Sequence, residues 1–117
     1  MLVAIGEMTA VLRNRCVELR RLPEVKNANS AVEIMSGQSG PVLESYLDLE
    51  LHGEDGLSWI FDAWLTEDPW TIDASLNRQA REGQVTLREV PQVTVKGVDQ
   101  LISSLRQTVG ELLQLKP

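Results

Sequence analysis

The middle of this 117-residue chain has no basic side chains. Between Lys26 and Arg78 there are ten acidic residues and no Lys or Arg. Residues 1–26 carry five basic and three acidic residues, and residues 78–117 carry six and four, so the net charge of −6 comes from the middle. Nucleic acids and anionic membranes are bound through cations that neutralise phosphates. We therefore expect neither as a partner, and a protein partner of this chain should be basic.

Cysteine and histidine each occur once, as Cys16 and His52. A single cysteine excludes an internal disulfide and is typical of a reducing compartment. His52 is followed by two acidic residues, but their spacing is not that of a zinc or calcium site. No phosphate-binding loop or dinucleotide-binding glycine pattern occurs. We expect no catalytic site, no metal and no cofactor.

Long apolar runs are also missing, and none approaches the ~20 residues that a membrane-spanning helix needs. The first residues lack a charged n-region and include Glu7 within the apolar stretch, so a secretory signal is not expected. The hydrophobic fraction of 43% is that of a globular protein with an ordinary core. These features predict a single cytoplasmic domain over residues 1–117.

Two segments repeat apolar residues at steps of three and four, which is the period of an amphipathic helix. The first is predicted over 2–22 and is ended by Pro23. Its apolar stripe consists of Ile5, Met8, Leu12, Cys16 and Leu19. The second helix is predicted over 97–115, where Gly110 suggests a close packing contact.

Between the two helices the apolar period is two, which indicates strands. Strands are predicted at 31–36, 42–51, 57–66, 70–77 and 84–90, and the polar stretch at 24–30 is predicted to be a turn. Short connections favour antiparallel neighbours. The fold class is therefore α+β: a two-layer sandwich in which both helices cover one face of an antiparallel meander of about five strands.

All five aromatic residues lie between Tyr46 and Trp70, within the acidic middle. Alternation assigns Trp59, Phe61 and Trp70 to the face beneath the helices, where they should fill the core. The opposite face would stay open, with large apolar and acidic side chains together, as in protein-binding surfaces. The predicted binding residues on this face are Glu44, Tyr46, Asp48, Glu50, Ile60, Asp62, Trp64 and Asp73.

Loop lengths predict which of these residues stand opposite one another. A five-residue loop at 52–56 would place Leu51 opposite Leu57. A four-residue loop at 66–69 would place Asp62 opposite Asp73. Like charges in such a position destabilise a sheet, although a six-residue loop at 78–83 would bring Arg88 opposite Asp73 to neutralise the pair. Opposed carboxylates also permit acid–base catalysis, but no other catalytic group converges on them.

The functional hypothesis is a non-enzymatic protein-binding module whose open face occludes a basic partner. In architecture and charge this is comparable to bacterial immunity proteins, which bind and block nuclease toxins, but no motif carries a family resemblance. An ordinary solvated acidic face is an equal alternative at this point. A further alternative is a small homodimeric accessory protein that associates through the open face or through the edge at 31–36.

Overall fold

A computed structural model of the protein describes residues 2–37, 40–53, 56–65, 70–80 and 83–114. The five strands form one antiparallel sheet in sequence order, and both helices pack on the same face of it. This confirms the predicted two-layer α+β arrangement. The elements are α1 (Leu2–Arg20), β1 (Val25–Gly37), β2 (Gly40–Leu51), β3 (Gly56–Leu65), β4 (Trp70–Ala80), β5 (Gly83–Val95) and α2 (Gly97–Leu112).

The helices bury the stripes that their periodicity predicts. In α1 the buried residues are Ala4, Met8, Leu12, Cys16 and Leu19, and Ile5 of the predicted stripe is only half-buried. Gly110 in α2 was predicted to make a close packing contact, and this is wrong. A methyl group at Gly110 would have no atom within 4 Å, because the residue borders an open groove between the helices. No helix in the described ranges is long and apolar enough to cross a membrane.

The core between the sheet and the helices is filled by the aromatic residues predicted for it. Trp59 and Phe61 are fully buried and their rings stack with centroids 5.9 Å apart. Trp70 is buried at the beginning of β4. Complete burial of this much aromatic area is a large hydrophobic contribution to folding, so these three residues serve the core.

β1 begins six residues earlier than predicted, since the polar stretch at 24–30 is largely strand rather than turn. The side chains of Asn27 and Asn29 lie on the open face, where Asn27 is paired with Glu50 and Asn29 with Asp48. Ala28 points the other way and is buried beneath α1. A bulge between Val25 and Asn27 interrupts the alternation, which is why the period of two is hard to see there.

The β2–β3 hairpin differs from its predicted register by two residues. Leu49, rather than Leu51, stands opposite Leu57. The reason is that the end of β2 is held by the longer β1, with Leu51 paired to Val25. A shift of two leaves every side chain on its predicted face. The β3–β4 register agrees with the prediction, with Leu65 opposite Trp70 and Ala63 opposite Ile72.

β5 is longer than predicted, and the helices cover only part of it. It runs from Gly83 to Val95 and contains two register shifts relative to β4. Val85 and Leu87 were predicted to point inward. Val85 is opposite Arg78 on the helix face but is 55% exposed, and Leu87, at a register shift, is 41% exposed. The helix α2 covers only part of β5. The contacts of β5 with the core are made by Val90 and Val95. Pro91 lies within the strand, as an edge strand permits.

Candidate protein-binding site on the open sheet face

The face of the sheet without helices carries four carboxylates in line, one from each of the first four strands. Glu33 in β1 is paired with Glu44 in β2. Glu44 is paired in turn with Asp62 in β3, and Asp62 with Asp73 in β4. Directly opposed side chains have Cβ atoms about 5 Å apart, so the four carboxyl groups are immediate neighbours. We call Glu33, Glu44, Asp62 and Asp73 the carboxylate row.

Large apolar side chains border the carboxylate row on both sides. On one side Trp64 is paired with Val42 and Thr71. On the other side Tyr46 is paired with Ile60. Trp64, Tyr46 and Ile60 are each partly exposed, so they remain accessible while resting on their neighbours. The arrangement is a strip of negative charge between two apolar strips.

Polar groups continue the open face beyond Tyr46 and Ile60. Asp48 is exposed and accepts a hydrogen bond of 2.5 Å from the buried hydroxyl of Ser58. Glu50 is exposed and paired with Asn27 near the end of β2. The structure thus brings all eight predicted binding residues to one face, with Glu50 at its margin.

The predicted neutralisation of Asp73 by Arg88 is wrong. β4 extends to Ala80 and β5 begins at Gly83, so the connection is shorter than the six residues assumed, and Arg88 stands opposite Leu76. Its guanidinium donates a hydrogen bond of 3.1 Å to the carbonyl oxygen of Glu111, in the last turn of α2, where a cation suits the helix dipole. Among the described cross-strand partners of the carboxylate row there is no Lys or Arg.

Asp62 is the most strongly perturbed carboxyl on this face. Burial, a hydrogen bond shared with Glu44, and the charges of Glu44 and Asp73 raise its pKa to about 8. Its buried Oδ1 accepts no hydrogen bond from the described residues. Protonation of Asp62 removes the repulsion between its carboxylate and that of Glu44, because a neutral carboxyl group can donate a hydrogen bond to the Glu44 carboxylate. Asp62 therefore carries little negative charge at neutral pH when the face is free.

Asp73 shares this environment to a lesser degree. Burial raises the pKa of its carboxyl, and the negative charge of Glu89 adds to the shift. A cavity of about 300 Å³ opens beside Asp62, Asp73 and Glu89, where the register of β5 shifts. The charged neighbour of Asp73 on β5 is thus the acidic Glu89 and not the basic Arg88.

No metal-binding cluster is evident in the part of the chain that the structure describes. These residues include no group of three His, Cys, Asp or Glu placed to hold a metal ion. Cys16 lies on the buried side of α1 and is 2% exposed, and burial is the main cause of the raised pKa of its thiol. A buried thiol of this kind is a small core hydrophobe rather than a nucleophile.

Two acidic residues of the site were not among the predicted set, namely Glu33 and Glu89. Glu33 lies on a strand that the sequence does predict, and alternation within 31–36 assigns it to the same face as Met35. Its place at the end of the row depends on pairing with β2, which a single sequence does not reveal. Glu89 depends on two register shifts in β5 that have no local signature.

Comparison with protein-family models, with curated proteins and with solved structures finds no match to this chain. The functional argument therefore depends on the geometry and charge of the site itself.

Proposed function

We propose that the protein is a non-enzymatic protein-binding module that uses the open sheet face to bind and occlude a basic partner. The observation that carries this proposal is the carboxylate row, which has no described cation paired to it and lies between the apolar strips of Trp64 and of Tyr46 with Ile60. Exposed apolar groups provide desolvation energy on binding, and charges of one sign provide steering and orientation.

The energetics of the free protein support a role in binding. Four carboxyl groups in direct cross-strand positions oppose sheet formation. Burial is the main cause that raises the pKa of Asp62 to about 8, and Glu44 and Asp73 add to the shift. A face that was merely solvated would be more stable with mixed charges. A basic partner would relieve this repulsion, since a nearby cation favours the ionised form of Asp62.

The mechanism we propose is steric and electrostatic occlusion. The acidic side chains, with Asp48 and Glu50 at the margin, would imitate the negative charge of a substrate such as a nucleic acid. Tyr46, Ile60 and Trp64 would anchor the contact, because buried aromatic residues dominate interface energetics. An immunity or inhibitor protein of the bacterial cytoplasm would act in this way, and we extend the proposal to that class and that location.

The test is binding of a basic protein from the native host by the immobilised chain, followed by purification of that protein and measurement of its dissociation constant. Trp64→Ala and Asp62→Lys should each weaken binding at least about tenfold, which corresponds to 1.4 kcal/mol. Ser103→Ala on α2 is the matched control, because Ser103 is exposed on the opposite side of the molecule. Unchanged affinity in both open-face variants would refute the proposal.

A further inference from the structure

The two edges of the sheet differ in how they are protected against pairing with another strand. β5, at one edge, contains Pro91 and two register shifts. Both features prevent an added strand from forming a continuous ladder. β1, at the other edge, is paired to β2 without interruption from Asn27 to Gly37 and contains no proline. Only β1 therefore offers a regular edge.

At the beginning of the β1 edge, side chains already form hydrogen bonds with the outward backbone groups. The guanidinium of Arg20 donates two hydrogen bonds, of 3.1 and 2.6 Å, to the carbonyl oxygen of Ala28. The amide of Ala28 donates to Oδ1 of Asn27 at 2.9 Å. The backbone groups of Ala28 thus point away from β2, to the free edge. Beyond Ala28 no such bond to the edge is found in the described residues.

The alternation of an antiparallel ladder extends this assignment along β1. Residues two apart share the same backbone direction, and the register shows no bulge beyond Asn27. The amide and carbonyl groups of Ser30, Val32, Ile34 and Ser36 must then point outward as those of Ala28 do. At ~3.3 Å per residue, the segment 30–36 presents about 20 Å of unpaired edge.

Apolar side chains on both faces accompany the unpaired backbone. Ile34 is 53% exposed on the helix face, where it is paired with Leu43, and Met35 is 46% exposed on the open face beside Val42. An added strand would cover both, because its side chains alternate between the two faces. Glu33, which directly precedes Ile34, ends the carboxylate row and has no strand on its outer side in the described sheet.

We propose that residues 30–36 of β1 bind an extended segment of a basic partner, which joins the sheet as a sixth strand with a Lys or Arg opposite Glu33. This deepens the proposed function and rests on it for the charge of the partner. The main-chain hydrogen bonds provide affinity, and the residue facing Glu33 provides specificity, as in other strand-addition complexes.

Charge favours a basic segment over a second copy of this chain. When the whole segment 30–36 pairs with its own copy in antiparallel orientation, Glu33 falls opposite Glu33 and the two carboxylate rows join end to end. Like charges in that position are destabilising. Arg13 and Arg20 line a cavity beside Ser30 at the other end of the segment, so the preference for a cation is specific to the position opposite Glu33.

The probe is a capped seven-residue peptide of alternating Thr and Val with Lys at its central position, titrated into the ¹⁵N-labelled protein and followed by NMR. We expect amide shifts and slowed hydrogen exchange at Ser30, Val32 and Ile34. A peptide with Glu at the central position should bind about fivefold more weakly, the change expected when an opposite-charge pair becomes a like-charge pair. Shifts confined to other residues, or equal affinities for the two peptides, would overturn the proposal.

Two matched variants separate backbone pairing from side-chain contact. Ile34→Pro removes the outward amide without removing a bond to β2, and it should abolish peptide binding. Ile34→Ala retains the amide and should retain most of the affinity. Glu33→Lys should reverse the preference and favour the Glu peptide, which keeps the test decisive even where the proline variant is poorly folded. Lack of reversal would refute the assigned charge pairing.

The result of the peptide-binding test can be distinguished from the result of the test of the proposed function. Trp64→Ala should leave peptide binding unchanged, because Trp64 is on β3 and two strands away from the edge. Peptide binding that follows these rules would stand even where the Trp64 and Asp62 variants fail to weaken capture of a protein. A concentration-dependent dimer in sedimentation that Ile34→Pro removes would identify a second copy as the occupant and would overturn the proposal.

Discussion

Asp62 and Asp73 stand directly opposite each other on β3 and β4. A third carboxyl group, that of Glu44 on β2, faces Asp62 from the other side. Asp62 is thus flanked by acidic groups on both neighbouring strands. Burial, together with the hydrogen bond to Glu44 and the charges of Glu44 and Asp73, raises the pKa of Asp62 to about 8. Proton occupancy of this residue links the stability of the fold to pH.

Stability should fall as the pH rises from about 4 to about 8. The folded state holds a proton on Asp62 that the unfolded chain releases near its ordinary pKa of 3.8. The contribution is therefore complete below pH 3.8 and is lost as the pH rises through the folded pKa. Because Asp62 is partly exposed, solvent screening reduces the effect, which we expect to be on the order of 1–2 kcal/mol. Thermal unfolding at a series of pH values measures it.

Asp62→Asn supplies the comparison for this pH dependence. The neutral amide should flatten the decline in stability between pH 4 and 8 and should make the variant more stable than the parent at pH 9. Glu50→Gln is the control, since Glu50 is exposed on the same face and paired with the neutral Asn27. A decline of equal size in Asp62→Asn and in the parent would show that Asp62 is not its source.

The environment of Trp64 predicts a charge-dependent quenching of fluorescence. Trp59 and Trp70 are buried, whereas Trp64 is partly exposed beside the carboxylate row. Negative surface potential concentrates cations and repels anions at short range. At low ionic strength Cs⁺ should therefore quench the emission more strongly than I⁻, and the difference should shrink in 0.5 M inert salt, where the Debye length is only about 4 Å.

Trp64→Phe identifies the source of that signal. The substitution should remove most of the quenching by either ion, because the two remaining indoles are shielded in the core. Stern–Volmer plots for the parent and the variant provide the measurement. Equal quenching of the parent by Cs⁺ and I⁻ would contradict the negative potential on which the proposed function depends.

The sequence predicts the faces of the strands better than it predicts their lengths and partners. Trp59 and Trp64 are assigned to opposite faces by alternation alone, and the structure agrees. The error of two residues in the β2–β3 register did not alter these faces, because side chains repeat with a period of two. The Asp62–Asp73 opposition was predictable because the short β3–β4 connection fixes the register.

The predictions that were wrong are those that depend on long-range strand pairing. The polar beginning of β1 is a strand because Asn27 and Asn29 find partners on β2, and not because of local propensity. Arg88 was assigned to Asp73 on the assumption of a regular β5, but bulges have no clear sequence signal. Glu33 was omitted from the predicted binding residues because its neighbours depend on the pairing of β1 with β2.

Two buried serines on adjacent strands provide a matched test of core packing. Ser45 lies in the core opposite Phe61, and its hydroxyl has no hydrogen-bond partner within the described part of the chain. A buried, unsatisfied hydroxyl costs about 1–3 kcal/mol. Ser45→Ala should therefore increase the free energy of unfolding by about 1 kcal/mol. Chemical denaturation with urea measures the difference.

Ser58→Ala should have the opposite effect. The hydroxyl of Ser58 is also buried, but it donates to Oδ1 of Asp48. Removal of a hydrogen bond to a charged acceptor should decrease the free energy of unfolding by about 1 kcal/mol, because the exposed Asp48 recovers part of the loss from water. A destabilised Ser45→Ala would indicate that its hydroxyl is satisfied after all.

Two glycines give opposite predictions from their surroundings. Gly110 lies within α2, and a Cβ atom there would meet no atom within 4 Å. Gly110→Ala should stabilise the protein by about 0.5–1 kcal/mol, since alanine has less conformational entropy to lose in a helix. At Gly56, a Cβ atom would lie 2.8 Å from the carbonyl oxygen of Leu49 on the neighbouring strand. That oxygen belongs to the backbone and cannot move without disturbing the ladder, so Gly56→Ala should destabilise the protein. Thermal unfolding of both variants compares them directly, and a destabilised Gly110→Ala would mean that the two helices pack more closely at this position than the open groove implies.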